Sequence, residues 1–322
     1  MPYATASDTA RLYYEVRGEG DPLLLITGLG MSLVSWHRNL SDLAGRFRVI
    51  AFDNRGAGLS DNPGGPYTTR QMARDALAVL DALGVEAAHV LGVSIGGLIA
   101  QEFAIDFPSR VRRLILACAY AGGARDVQPE SRVAEPVFQR NWGTFEQALR
   151  GSAPFVYASR TVEDHGELIE EDIARRLPWP PSGRSFRRRL DACYAHNSWD
   201  RLHLITAPTL VVHGEADQLV PTPNARLIAG RIPGAKLAIV PGAAHMVFSE
   251  AAAAFNEAVT SFLVGGSQVD RRPDRSDSSA AKSRAVGLKG RRRRPPVRRR
   301  EIPWHKEHRN GLWQTKSYWQ ER

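Results

Sequence analysis

The sequence predicts an α/β protein whose mostly parallel β-sheet is covered by helices on both faces. Short apolar runs alternate along the chain with longer segments whose apolar residues recur at helical spacing. Most of the short runs are apolar on both faces, which is typical of parallel strands buried between two layers of helices. With 43% hydrophobic residues among 322, the chain can bury a large core.

The first half of the chain contains most of the predicted strands. The segments "ARLYYEV" and "PLLLIT" are joined by a turn over residues 18–22 and predict a hairpin. The next strand, "FRVIAFD", ends at Asp53 and leads into a glycine-rich loop. A helix capped by Thr68 or Thr69 runs to Leu83. The strand "AAHVLGV" then leads directly into another helical segment.

The alternation stops at Gly122. Residues 123–203 contain helical patches and many aromatic side chains but no strong strand, which predicts a helical lid over a pocket. We expect some of the aromatic residues to line the pocket and others to form the core of the lid. The run Arg187–Arg189 is interpreted as a solvated helix face. The sheet resumes with "APTLVVHGEAD" and "AKLAIVPGAAH", and a last helix ends near Val264.

The positive charge of the chain is concentrated in its C-terminal tail. The net charge is +9, but residues 265–322 contain 17 Lys and Arg against 6 acidic residues, so the rest is slightly acidic. The tail lacks apolar periodicity and is predicted to be disordered. Arginine runs with interleaved tryptophans are found in nonspecific binders of nucleic acid or anionic surfaces. We nevertheless expect a solvated extension that takes no part in the reaction.

These patterns predict the domain organisation and the compartment. The α/β core comprises residues 1–122 and 204–264, the lid residues 123–203, and the tail residues 265–322. The two cysteines, Cys118 and Cys193, are interpreted as buried thiols. We expect a cytoplasmic protein, since the sequence has no apolar run of about 18 residues and no N-terminal signal pattern. The oligomeric state is not indicated.

A serine at a strand-to-helix junction is the first sign of a reaction. The segment Gly92-Val93-Ser94-Ile95-Gly96 has the G-x-S-x-G pattern of a nucleophile elbow. In such a turn the serine backbone is strained, and the flanking glycines avoid collisions with neighbouring elements. The hydroxyl is then presented over the positive end of the following helix. We therefore predict that Ser94 is a nucleophile.

Four stretches, each at the end of a predicted strand, occur in a recognisable order. They are "TGLG", "DNRGAGLS", "GVSIG" and the pair "HGEAD" and "GAAH". On these stretches, about residues 10–264 resemble the α/β-hydrolase fold superfamily, within its lid-bearing esterase and enol-lactonase-like group. In open parallel sheets, active sites form at the carboxyl ends of the strands.

The resemblance implies a catalytic triad. A serine hydroxyl needs a base, and His245 stands after the last strand, where the family places its catalytic histidine. Asp217 stands at the usual position of the acid that orients this histidine. Glu215 and Asp126 remain alternatives for the acid. The other histidines singled out are interpreted as structural: His37, His89 and His213.

The resemblance also implies an oxyanion hole formed by the backbone N–H groups of Leu29 and Ile95. The family commonly has a histidine in the first of these loops, and Thr27 replaces it here. The donor is a backbone group and survives this change, whereas the bracing role of the histidine is lost. The pattern D-x-R-G-x-G-x-S, which begins at Asp53, is expected to hold its loop against the oxyanion loop.

The sequence thus predicts a serine hydrolase that cleaves a small carboxylic ester or lactone through an acyl-enzyme, with no cofactor and no metal. The aromatic lid implies a mainly apolar substrate. Two alternatives keep the fold, namely a cofactor-free perhydrolase (haloperoxidase-like) and a ligand-binding protein. A remote alternative is a dinucleotide-binding oxidoreductase, because "LLLITGLGMSL" imitates a Rossmann fingerprint. Leu33 replaces the third glycine of that fingerprint and argues against it.

Overall fold

An eight-stranded sheet forms the centre of the structure, a computed structural model that describes residues 2–139 and 143–265. The strands are β1 (Tyr3–Thr5), β2 (Arg11–Arg17), β3 (Asp21–Ile26), β4 (Phe47–Phe52), β5 (Ala88–Val93), β6 (Val111–Ala117), β7 (Thr209–Gly214) and β8 (Lys236–Val240). Their order across the sheet is β1-β2-β4-β3-β5-β6-β7-β8. The β1–β2 and β2–β4 pairs are antiparallel and the other pairs are parallel, which confirms the predicted mostly parallel sheet.

The predicted hairpin between the first two long strands is wrong. β2 and β3 are consecutive in the chain, but β4 lies between them and pairs antiparallel with β2 and parallel with β3. β4 is almost entirely buried, and a buried strand needs a neighbour on each edge to satisfy its backbone donors and acceptors. The turn therefore spans the width of one strand. Gly18 has a φ of +75° in this turn, where a side chain would collide with the Ala44 carbonyl.

Helices cover both faces of the sheet. The α-helices are α1 (His37–Ala44), α2 (Thr69–Ala82), α3 (Ile95–Asp106), α4 (Ser131–Ala134), α5 (Phe145–Val156), α6 (Ser159–Asp164), α7 (Gly166–Arg176), α8 (Gly183–Ala195), α9 (Pro223–Arg231), α10 (Val247–Glu250) and α11 (Ala252–Val264). Short 3-10 helices span Leu33–Trp36, Pro108–Arg110 and Trp199–Leu204, and a π-helical turn spans Glu135–Gln139. Thr68 is the cap of α2, because its hydroxyl accepts the Gln71 N–H.

Two apolar layers join the helices to the sheet. In β3, Leu24 and Ile26 face the layer shared with α2, α3 and α9, whereas Leu23 and Leu25 face the layer shared with α1 and α11. All four side chains are completely buried. Burial of one such side chain contributes about 1.5–3 kcal/mol. A strand that is apolar on both faces is thus explained by a helix layer on each side.

The chain between β6 and β7 forms α4–α8, here called the helical insertion. Its aromatic residues are divided between interior and surface, since Tyr157 is buried and Tyr194 is 66% exposed. Trp142 lies outside the described residues. Cys118 and Cys193 are buried free thiols, as predicted.

The prediction of a solvated face at Arg187–Arg189 is wrong for Arg189. Arg187 is exposed and Arg188 lies over the Tyr67 ring, but Arg189 is completely buried. Ser185 and Arg189 are four residues apart and share one face of α8. That face packs on the loop after β4, where the Ser185 hydroxyl donates a hydrogen bond to the Gly56 carbonyl.

Two other predictions concern the C-terminal tail and membrane-spanning helices. Of the predicted tail, residues 266–322 lie outside the described residues. In residues 2–139 and 143–265, no helix is both long enough and apolar enough to cross a membrane.

Candidate active site

Ser94 occupies the turn between β5 and α3, at the carboxyl end of a central strand. Its backbone has a φ of +56° and a ψ of −124°, a conformation that residues other than glycine rarely adopt. The Ser94 N–H donates to the Ala117 carbonyl at 2.9 Å and ties the turn to β6. The Ser94 side chain is partly exposed although Val93 and Ile95 are buried. The strained turn therefore presents the hydroxyl at the edge of the sheet.

The glycines around Ser94 are required by close backbone contacts. A Cβ on Gly92 would collide with the Gly96 carbonyl, and a Cβ on Gly96 would collide with the Ile26 carbonyl. At Gly97 a Cβ would lie 2.6 Å from the Cβ of Ala119. The strand, turn and helix therefore have the geometry that the G-x-S-x-G pattern predicts.

Asp217 and His245 meet at the same edge of the sheet. Asp217 follows β7 and His245 follows β8, and the His245 Nδ1–H donates to Asp217 Oδ2 at 2.9 Å. Asp217 Oδ1 accepts the N–H groups of Leu219 and Val220 at 3.0 and 2.9 Å. Both side chains are almost completely buried. The carboxylate thus fixes the orientation of the imidazole and leaves its Nε2 available as a base.

His213 is a second imidazole beside this carboxylate. Its Nε2 donates to the Val220 carbonyl at 2.8 Å and lies 3.2 Å from Asp217 Oδ2. Burial favours a higher pKa for Asp217, but the charge of His245 and hydrogen bonds from both histidines outweigh it and hold the pKa well below its usual range. The structural role predicted for His213 therefore includes stabilising the charged form of Asp217. Sequence reasoning missed this contact.

The two alternative acids form other contacts. Asp126 accepts the Gly122 N–H at 2.6 Å within its own loop. Glu215 is exposed and accepts the Gly242 N–H at 3.1 Å. Of the three candidate acids, Asp217 is therefore the one bonded to His245.

The predicted oxyanion donors lie on two segments that touch beside Ser94. A Cβ on Gly28 would lie 3.4 Å from the Ser94 Cβ, so the loop that carries Leu29 contacts the serine. Ile95 is the first residue of α3, where backbone N–H groups have no partner within the helix. Within the described residues, the Ser94 hydroxyl forms no hydrogen bond to His245. In the structure, a direct hydrogen bond therefore joins Asp217 and His245. Ser94 and the predicted donors are near each other because the segments that carry them are in contact.

Asn54 braces the oxyanion loop at Thr27, the position at which the family commonly has a histidine. Its amide Nδ2 donates to the carbonyl and the hydroxyl of Thr27 at 3.1 and 3.2 Å. Thr27 and Asn54 are both buried. Sequence reasoning missed Asn54, although its position directly after Asp53 at a strand end was a usable signal.

Asp53 holds the segment that follows the oxyanion loop. Its carboxylate accepts the Leu33 N–H at 2.7 Å and the Leu59 N–H at 2.9 Å. Burial raises the pKa of Asp53 to about 6, and the two N–H groups oppose this effect. Asp53 therefore joins the loop after β4 to the start of the 3-10 helix at Leu33.

Glu250 connects the histidine loop to the helical insertion. One carboxylate oxygen accepts the Ala244 N–H at 2.6 Å, directly before His245. The other accepts the Ala158 N–H at 2.9 Å and the Thr161 hydroxyl at 2.7 Å. On the other side of His245, the Met246 N–H donates to the carbonyl of Val156 at 2.9 Å. The loop is thus fixed to the insertion on both sides of the imidazole.

Cys118 lies close to this pair. Its Sγ, an oxygen of Asp217 and a ring nitrogen of His245 lie within 4.8 Å of one another, and these atoms are of types that ligate metals. Metals bind the thiolate, however, and burial raises the pKa of the Cys118 thiol well above its usual value. Asp217 and His245 already bond to each other, so the geometry fits a hydrogen-bonded pair.

The comparison with known families agrees with this geometry. A family model described as the alpha/beta hydrolase fold matches residues 21–252. The chain belongs to the α/β hydrolase family.

Similar α/β hydrolases differ in the reactions for which they are named. The chain is 35% identical to a protein of Azorhizobium caulinodans named carbamate hydrolase RutD, over 81% of this chain and 98% of that one. It is 31% identical to a Mycobacterium tuberculosis protein named non-heme bromoperoxidase BpoC, over 78% and 97%. The crystal structure of the enol-lactonase from Burkholderia xenovorans LB400 matches with a TM-score of 0.73 at 27% identity, over 82% and 100%. The family is therefore shared, while the named substrates vary.

Proposed function

We propose that this α/β hydrolase cleaves a small carboxylic ester or lactone through an acyl-enzyme on Ser94. The observation that carries the proposal is the 2.9 Å hydrogen bond from His245 Nδ1 to Asp217 Oδ2, at the same sheet edge as the strained Ser94 turn. This bond holds the imidazole in the tautomer whose Nε2 accepts a proton. A serine hydroxyl beside such a base becomes a nucleophile at neutral pH.

The reaction proceeds in two steps. His245 Nε2 takes the Ser94 proton while Oγ bonds to the substrate carbonyl carbon, and the N–H groups of Leu29 and Ile95 donate to the developing oxyanion. The bond to the leaving oxygen then breaks, and His245 returns the proton to that oxygen. In the second step a water attacks the acyl carbon with His245 as base, which releases the carboxylic acid and restores Ser94.

Labelling with a fluorophosphonate probe and turnover of p-nitrophenyl acetate test this proposal. We expect Ser94→Ala to abolish labelling, and His245→Ala or Asp217→Asn to lower kcat by about 10³–10⁴-fold. Ser261→Ala is the matched control, because its hydroxyl lies on α11 and donates to Glu257. Equal labelling and turnover in wild type and Ser94→Ala would refute the mechanism.

The relative named as a bromoperoxidase favours perhydrolysis as a second candidate. If hydrogen peroxide replaces water in the second step, the acyl carbon leaves as a peracid and Ser94 is restored in the same way. Bromination of monochlorodimedone in acetate buffer with hydrogen peroxide and bromide measures this reaction, because the peracid oxidises bromide to the brominating hypobromite. A rate equal to that of Ser94→Ala would exclude it.

A further inference from the structure

Arg176 is the last residue of α7, and its guanidinium contacts the oxyanion loop. Its Nη2 donates to the Gly30 carbonyl at 3.3 Å. Its Nε is buried and has no hydrogen-bond partner among the described residues. The side chain as a whole is only partly buried, so the guanidinium retains an opening.

Two other arginines that reach into the structure are paired with carboxylates. Arg55 is bonded to Asp75 and Asp8, and Arg201 is bonded to Glu102. Arg176 forms no ion pair within the described residues. Burial lowers the pKa of Arg176, yet a guanidinium remains charged in a protein. The nearby Asp172 and Tyr157 oppose this effect only in part. A desolvated charge with no directly bonded counter-ion is unfavourable, so an anion at this position would gain a partner that the fold has already positioned.

The acid nearest to Arg176 in the sequence is engaged elsewhere. Asp172, one turn earlier on α7, accepts hydrogen bonds from Arg38 at 3.1 Å and from the Tyr157 hydroxyl at 2.7 Å. It also accepts one from the Ser249 hydroxyl. Asp172 therefore has little remaining capacity to accept a hydrogen bond from Arg176.

The position of Arg176 relative to Ser94 follows from the oxyanion loop. Gly30, which it contacts, is adjacent to Leu29, and Gly28 lies against the Ser94 side chain. Arg176 therefore contacts the loop that carries one of the two proposed oxyanion donors, at the residue directly after that donor. Arg189, which also lacks a hydrogen-bond partner among the described residues, is completely enclosed and offers no opening.

We propose that Arg176 binds a carboxylate on the acyl part of the substrate, so that the preferred substrates are monoanionic esters or lactones. The inference rests on the proposed hydrolase function and specifies its substrate class. A guanidinium suits this task because its planar fork donates two parallel hydrogen bonds to one carboxylate. The contact with Gly30 holds that fork beside the oxyanion hole.

Kinetics with a matched pair of esters test the inference. Wild type should have a kcat/KM at least tenfold higher for the p-nitrophenyl monoester of glutarate than for neutral p-nitrophenyl valerate. Arg176→Met should lower this anionic-to-neutral ratio of kcat/KM at least tenfold, through a higher KM for the anionic ester, on the usual scale of a lost charge-assisted contact. Arg175→Met is the control, since Arg175 is exposed on the same turn. Equal losses for both esters, or no preference in wild type, would overturn the inference.

A binding measurement separates this inference from the reaction itself. In the Ser94→Ala background, calorimetry should show tighter binding of monomethyl glutarate than of dimethyl glutarate, and Arg176→Met should remove the difference. Arg176→Lys keeps the charge and should retain part of the preference if Arg176→Met fails to fold. Equal binding of the two esters overturns the anion site alone, whereas turnover by Ser94→Ala overturns the hydrolase mechanism.

Discussion

At the scale of single residues, Glu250 shows that the candidate histidine is positioned from two directions. Asp217 holds the imidazole through Nδ1, and Glu250 holds the backbone N–H of Ala244 next to it. Burial raises the pKa of Glu250, while the hydrogen bonds that it accepts from N–H and hydroxyl groups oppose this effect. A carboxylate can bridge these two segments because both of its oxygens accept hydrogen bonds and each oxygen faces a different segment.

Replacement of Glu250 by glutamine should therefore slow the reaction more than it weakens binding. An amide presents one acceptor and one donor, so either Ala244 or Ala158 would face an N–H group. A buried donor left without a partner costs about 1–3 kcal/mol. We expect kcat to fall about 10–100-fold with little change in KM, measured with p-nitrophenyl acetate.

The control for this variant is Glu257→Gln, an exposed change on α11. It should leave both kinetic constants unchanged. An unaltered kcat in Glu250→Gln would show that the histidine loop holds its position without the carboxylate.

At the scale of elements, His196 joins the end of the helical insertion to the helices behind the sheet. The Thr69 hydroxyl lies 2.9 Å from its Nδ1, and Gln101 Oε1 lies 3.4 Å from its Nε2. The Glu102 carboxylate lies 3.6 Å from the ring but is already bonded to Arg201. Burial and the Arg201 charge therefore lower the pKa of His196 to about 3.

This histidine should make the fold sensitive to acid. Its folded-state pKa lies below the unfolded value of about 6.5, so protonation stabilises the unfolded chain as the pH falls. Between pH 7 and pH 5 the free energy of unfolding should drop by about 2 kcal/mol through this group. Urea unfolding at both pH values measures the drop, and His196→Gln should lack it.

His165→Gln is the comparison, because the His165 side chain is 55% exposed. It should keep the wild-type dependence on pH. If His196→Gln also kept it, the loss of stability in acid would arise from other groups.

At the scale of the whole molecule, the core and the tail differ in charge. Residues 1–264 carry 26 basic and 28 acidic side chains, whereas the tail carries the whole basic excess. The alignment with the Azorhizobium caulinodans relative covers 98% of that protein but 81% of this chain. The family match itself ends at residue 252.

Deletion of residues 266–322 should therefore leave the reaction intact. We expect kcat/KM for p-nitrophenyl acetate to remain within about twofold of the full chain, because every proposed site residue lies before residue 250. Retention on heparin should be lost, since the positive charge is removed with the tail. Loss of activity with an unchanged circular dichroism spectrum would assign the tail a part in catalysis.

Much of the fold and the outline of the site were predictable from local patterns. Ser94 and its turn follow from glycines whose absence of a Cβ is a local requirement, and doubly apolar strands indicate a parallel sheet. The pairing of β2 with β4 was not predictable from the turn between β2 and β3, because strand order depends on contacts distant in sequence. The burial of Arg189 and the bracing of Thr27 by Asn54 were missed for the same reason.

The helical insertion has one consequence for the evolution of this molecule. It contacts the oxyanion loop through Arg176, the histidine loop through Val156, and Glu250 through Ala158. A chimera that receives this segment from a relative would thus exchange the contacts that hold the oxyanion loop and the histidine loop. Recombination at β6 and β7 should therefore change turnover even where the side chains of Ser94, Asp217 and His245 are kept.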